Sequence, residues 1–148
     1  MATVRLIEYE DASPAVRAVY DDIRATRQSD FINHFWKALA HSPEQLKRTW
    51  EAVKAVMAPG ALDGLTKELL YIAVSAANSC DYCIHSHTAS ARAKGMSEAQ
   101  YAELLAVIAM AHQTNGLATA MKVPVDPEFL VGEKEVESLT YESNKGHT

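Results

Sequence analysis

Cysteine is nearly absent: the 148 residues contain two, Cys80 and Cys83. A secreted disulfide scaffold would carry more, spread along the chain. A bridge across two intervening residues closes too small a loop to hold a fold together. Long hydrophobic runs are also missing. No apolar stretch reaches the roughly 18 residues that span a bilayer, and residues 1–10 lack the charged-then-apolar layout of a signal peptide. These absences lead us to expect a cytoplasmic protein. Charge of one sign is not clustered, and 14 Lys and Arg against 19 Asp and Glu leave a net charge of -5. An acidic chain without a basic cluster is a poor partner for nucleic acid or for an anionic membrane. There is no Gly-rich phosphate loop, no punctuated period-two strand pattern and no repeat of solenoid length.

What is present is helix signal. Ser13-Pro14 offers an N-cap and a first-turn proline, followed by Val16, Val19, Tyr20 and Ile23 at helical spacing. Phe31, Ile32, Phe35, Trp36 and Leu39 suggest a short, heavily buried helix. Ser42-Pro43-Glu44-Gln45 reads as a capping box, with Leu46, Trp50, Val53 and Met57 behind it on one face and Pro59-Gly60 as the stop. Asp63 can cap the next helix, striped by Leu65, Leu69, Ile72 and Ala76, with a break at Asn78-Ser79. A further helix is predicted from about Cys80 to Lys94, closed by Gly95. Ser97 to Gln100 is a second capping box, opening a helix through Leu104, Leu105, Ile108 and Ala111. Asn115-Gly116 is expected to break that helix, leaving one or two turns over Leu117 to Lys122 before Pro124. The fold class is therefore all-α. From Val125 onward the composition turns polar, and residues 127–148 read as a tail that is disordered or straps onto a neighbouring subunit.

The two cysteines sit in the most informative segment. With Cys80 at a helix start, Cys83 lies one turn inside and His87 one turn further, so all three share a face. Thiolate, not thiol, is the nucleophile, and a helix N-terminus favours negative charge. His87 can take a proton or stabilise a thiolate, and a second thiol can resolve a sulfenic acid before it over-oxidises. If the preceding helix packs antiparallel, Glu68 can reach His87 or Cys80 and orient the imidazole or relay a proton. His85 points away from Cys83, and His34, His41 and His112 receive no role. Tyr82 is expected as a lid or interface aromatic over the dithiol; Trp36 and Trp50 read as core or interface anchors.

Glu68, eleven residues, Cys80-Asp81-Tyr82-Cys83, three residues and His87 resemble the AhpD core signature of the carboxymuconolactone decarboxylase superfamily. Ala73 to Asn78 and Asn115 to Ala118 are similar to its peroxidase-related branch. The resemblance runs from about Phe31 to Asp126 and implies a compact helical bundle of about six to seven helices in residues 1–126. It implies a homo-oligomer, a trimer or hexamer. It also implies reduction of a hydroperoxide, with Cys83 as the peroxidatic cysteine, Cys80 as its resolving partner and Glu68 and His87 as a proton relay. An external dithiol would be the reductant, and no metal, flavin or nucleotide cofactor is required. Tyr82 stands where that pattern can carry a histidine.

Other readings remain open on the residues alone. The cysteines could be two small buried residues without chemistry, or part of a zinc site with His87 and His85, although structural zinc usually draws its ligand pairs from separated segments. The same dithiol could serve a redox sensor or binding oligomer. A lyase of the decarboxylase type is a further alternative, and that branch generally works without the cysteine pair.

Overall fold

The cap residues read from the sequence become helix ends. In the computed structural model, which describes residues 2–130 and 132, six α-helices follow one another: α1 (Pro14–Arg27), α2 (His34–Leu39), α3 (Pro43–Met57), α4 (Gly64–Ala77), α5 (Asp81–Ala93) and α6 (Glu98–Met121), then a 3-10 turn at Pro127–Phe129. No strand occurs among the described residues, so the all-α expectation holds. The chain divides between Ser97 and Glu98 into two compact units. Among the described residues no helix is long and apolar enough to cross a membrane.

In the first unit, the Ser13 hydroxyl accepts the Val16 N–H at 3.4 Å and Pro14 fills the first turn of α1. Ser42 caps α3 by accepting the Gln45 N–H at 3.4 Å. The predicted capping box is only half made there. The Ser42 N–H donates to the Leu39 carbonyl at 3.0 Å, so it is already satisfied without Gln45. Helices α1 and α2 both pack on α3. Val16, Tyr20, Ile23 and Leu46 are fully buried between them, and Trp36 meets Trp50 edge-to-face at 5.4 Å. The polar handles of this core are satisfied. The Tyr20 hydroxyl donates to the Ile7 carbonyl at 2.8 Å, and burial pushes its pKa up to about 12. The Trp50 indole N–H donates to Asp22, which also pairs with Lys54 at 2.8 Å.

The segment from Phe31 to Leu39 is less buried than its composition suggests. Ile32 and Trp36 are in the core, whereas Phe31 and Phe35 are exposed. Helix α2 has only six residues. Trp36 takes the core-facing side of this short helix, and Ile32 reaches the core from the segment before it.

Helices α4 and α5 form an antiparallel hairpin and make the most extensive contact in the molecule. Asp63 caps α4 by accepting the Thr66 N–H at 2.8 Å. The turn takes three residues. Ser79 adopts a left-handed backbone, φ 55°, and the Cys80 N–H closes the turn onto the Ser75 carbonyl at 2.9 Å. Gly95 ends α5 with φ 90°, a conformation that costs glycine little. It lets the Met96 N–H return to the Ala91 carbonyl at 3.0 Å and buries the Met96 side chain.

The second unit is built on α6, and here the structure corrects the sequence reading. The helix runs without interruption through Asn115 and Gly116 to Met121. It ends instead at Lys122, whose φ is 50°, two residues before Pro124. Asn and Gly each disfavour a helix interior by less than about 1 kcal/mol relative to alanine. Extending an existing helix avoids the larger cost of nucleating a new one, and Leu117, Ala118, Ala120 and Met121 favour extension. None of the α6 side chains is buried. Of the predicted tail, the turn at Pro127–Phe129 is described; residues 131 and 133–148, and with them a disordered or strap-like role, lie outside the described residues.

A β-carbon at Gly116 would meet nothing within 4 Å, so Gly116→Ala should stabilise α6 by about 0.5–1 kcal/mol. A higher thermal midpoint with unchanged helical content by circular dichroism is expected; destabilisation would show that the glycine serves a contact or a bend.

Candidate active site

The site grows from the α4–α5 hairpin. Cys80 is the N-cap of α5 and Cys83 lies in its first turn. Their Cα atoms are 5.3 Å apart and the sulfurs are joined in a disulfide, a separation ordinary for such a bond. The Cys80 sulfur also accepts the Cys83 backbone N–H at 3.3 Å. That position would hold negative charge on Cys80 once the bond is opened, through both the N–H and the helix terminus.

Glu68, on α4, is 4% exposed. One carboxylate oxygen meets His87 Nδ1 at 2.6 Å, and the other accepts from Lys94 Nζ at 2.7 Å. Burial pushes the Glu68 carboxyl up, but the hydrogen bonds from His87 and Lys94, together with their charge, outweigh it, and the net direction is down. Glu68 is therefore a carboxylate, which can only accept. The proton of the short contact sits on His87 Nδ1, and Nε2 is left with its lone pair when the ring is neutral. The ring of Tyr71 stacks on His87, centroids 3.6 Å apart and planes 19° apart, so the imidazole is held by a bond at one edge and a face contact.

Cys83 and His87 open onto one small cavity of about 110 Å³, which Arg27, Trp36, Tyr71 and Tyr82 also line; Cys80 is not among its lining residues. Tyr82 is a wall of this cavity. Its hydroxyl accepts the Phe35 N–H at 3.2 Å and its ring lies 6.4 Å from that of Phe35, tying the start of α2 to the first turn of α5. A larger depression near Tyr9 and Lys37 contains neither cysteine. His85 is exposed. Among the described residues no three His, Cys, Asp or Glu side chains gather in a metal-ligating group.

The structure thus brings Glu68 to His87 and Cys83 to the same cavity as His87, as the spacing suggested. Sequence reasoning missed Lys94 and Tyr71. Both carried a signal: Lys94 lies two helical turns after His87, and Tyr71 one turn after Glu68. Arg27 carried none, since it reaches the cavity from a helix more than fifty residues away.

Lys94→Met should leave Glu68 with one partner. The Lys94 side chain is 43% exposed, so water screens the pair, and a loss of about 1 kcal/mol in unfolding free energy at neutral pH is expected. The folded pKa of Glu68 is depressed. The stability that it contributes is therefore present above the ordinary glutamate pKa of about 4.3 and is lost as pH falls through the folded value. The difference between wild type and Lys94→Met in urea unfolding should accordingly vanish in acid. A difference that persists below the carboxylate range would show that Lys94 acts by packing alone.

The model of the carboxymuconolactone decarboxylase family matches residues 43–126, from the start of α3 to just beyond α6. The crystal structure of the alkylhydroperoxidase AhpD core from Rhodospirillum rubrum resembles this chain with a TM-score of 0.86 and 62% identity, covering 89% of this chain and 99% of that one. Two curated relatives share shorter stretches. The (R)-2-haloacid dehalogenase of Pseudomonas putida is 30% identical over 105 residues, 71% of this chain and 35% of its own length. The alkyl hydroperoxide reductase AhpD of Solibacter usitatus is 40% identical over 72 residues, 49% of this chain and 39% of its own. The chain spans well under half the length of these two curated relatives. The match of more than half the chain to the family's own pattern, on an all-α frame shared with an AhpD core, places this chain in the carboxymuconolactone decarboxylase family, as an AhpD-like member.

Proposed function

We propose that the chain reduces organic hydroperoxides with the Cys80–Cys83 dithiol and is reset by an external dithiol. The observation that carries this reading is the cavity shared by Cys83 and His87, with the imidazole held on the carboxylate of Glu68. The names of two AhpD relatives support the same reaction class.

In the reduced protein, His87 Nε2 takes the Cys83 thiol proton, and Glu68 stabilises the resulting imidazolium. The Cys83 thiolate attacks the terminal peroxide oxygen. A sulfur–oxygen bond forms, the oxygen–oxygen bond breaks, and the departing alkoxide takes the proton back from His87 to leave as an alcohol. The Cys80 thiol then attacks the Cys83 sulfenic acid. The sulfur–sulfur bond forms, the sulfur–oxygen bond breaks and water leaves. Each turnover removes two electrons from the cysteines and adds them to the peroxide.

The asymmetry of the pair also suits the return step. An external thiolate entering the cavity meets Cys83, and Cys80 is then the leaving sulfur. Exchange is faster when the leaving thiol has a low pKa, and the Cys83 N–H aimed at the Cys80 sulfur favours that thiolate. We assign this chemistry to residues 1–126. We also read the exposed apolar side chains of α6, among them Val107, Met110 and Leu117, as covered by further copies of the chain in a homo-oligomer.

Peroxide consumption with a general dithiol should be abolished in Cys83→Ser. Cys80→Ser should complete one attack and then stall at a trappable sulfenic acid. Glu68→Gln and His87→Gln should lose roughly 100- to 10,000-fold in kcat/KM. Activity retained in Cys83→Ser would remove it as the nucleophile. A wild type that oxidises once without sustained consumption would make the dithiol a sensor instead.

A further inference from the structure

Lys37, Lys54 and Lys94 each face a carboxylate within 2.9 Å. Arg17 and Arg24 lie over the Tyr9 ring and bond backbone carbonyls. Arg27 shares their lack of a carboxylate partner among the described residues but, unlike them, lines the cavity of Cys83 and His87. Its guanidinium lies over two indoles, 5.8 Å from the ring centre of Trp36 and 5.4 Å from that of Trp50, and one N–H bonds the neutral amide of Asn33. It has five N–H donors in all. The one carboxylate close behind the site, Glu68, is already occupied on both oxygens by His87 and Lys94. The rim of the cavity therefore carries a permanent positive charge that is partly open to water and has no carboxylate in direct contact among the described residues, Glu68 acting on it only from a distance.

We propose that this cavity selects hydroperoxides that carry a carboxylate, with Arg27 as the group that binds it. This rests on the reading of Cys83 as the peroxide-attacking sulfur. The two indoles and Asn33 hold the guanidinium in place, and a guanidinium fork matches a carboxylate. One cation balances one negative charge, so a monoanion fits better than a phosphate ester. The cavity is open on one side, and its space of about 110 Å³ is smaller than the roughly 150 Å³ that encloses a benzene ring. It admits the carboxylate, the peroxide and a few carbons between them; the rest of a longer chain would lie outside. Phe35, Trp36 and Val53 give the cavity apolar walls against which the carbons of such a substrate can lie.

The test is a matched pair: β-hydroperoxyisovalerate and its methyl ester, which differ in charge but not in the reacting group. With the full chain and a general dithiol reductant, wild type should prefer the acid by about tenfold or more in kcat/KM, as expected for one charge-assisted bidentate contact. Arg27→Met should bring the ratio of acid to ester close to one, and Arg27→Lys should keep part of it. Equal rates for acid and ester in wild type would overturn the proposal, as would a ratio unchanged in Arg27→Met. Equal losses for both substrates in Arg27→Met would overturn it too, by assigning Arg27 to the thiolate or the fold.

If the wild type turns over no peroxide at all, the peroxidase reading fails on its own. Binding of β-hydroxyisovalerate to the oxidised protein, followed by calorimetry, then decides the cavity. Tighter binding of the acid than of its methyl ester, lost in Arg27→Met, supports the carboxylate site; no difference overturns it.

Discussion

A carboxylate at 4% exposure is tenable only where donors and cations replace its water, and Glu68 has one partner for each oxygen. Both come from the facing helix. Because α4 carries the charge while α5 and its C-cap carry His87 and Lys94, this one constraint ties the two helices of the hairpin together. His87 gains a single orientation from it, and the Tyr71 ring closes off the alternative of swinging away. Cys83, one turn earlier on α5, is then presented to the cavity, while Cys80 remains at the helix cap. The inequality of the two cysteines is therefore built by the hairpin and not by the cysteines themselves.

The opposite wall has a different origin. Helices α1, α2 and α3 assemble around an aromatic core in which Trp36 and Trp50 are buried by packing and pinned by one polar contact, the indole of Trp50 on Asp22. Arg27 rests on those two rings, so the same residues that stabilise the core hold a cation at the cavity of Cys83 and His87. Tyr82 links the walls through the Phe35 N–H. Both walls are needed to bound the cavity that Cys83 and His87 share.

The helices were largely legible because their ends are marked by local chemistry. Ser13, Ser42 and Asp63 each cap a helix within three residues of themselves, and Gly95 ends one through its own backbone. Legibility failed where local preference is weak compared with extension: Asn115 and Gly116 look like a break, yet α6 runs through them. It failed again at Phe31 and Phe35, where hydrophobicity suggested burial but the six-residue α2 turns Trp36 to the core and leaves Phe35 outside, with Phe31 exposed before the helix begins. At the site, Cys80, Cys83 and His87 were readable as a group because they lie within eight residues of one another on one helix. Glu68 needed the hairpin to close.

The sequence by itself determined the all-α class, the dithiol, and the offsets that place cysteines and histidine on one face, since these depend on helical periodicity and on residues near in the chain. Only the tertiary structure decided that Glu68 is shared between His87 and Lys94, that Cys83 rather than Cys80 faces the cavity, and that Arg27 enters it. The physical reason is distance along the chain. A charge or a ring brought from another helix acts through space over a few ångströms, and no spacing rule in the sequence encodes that approach until the core has packed.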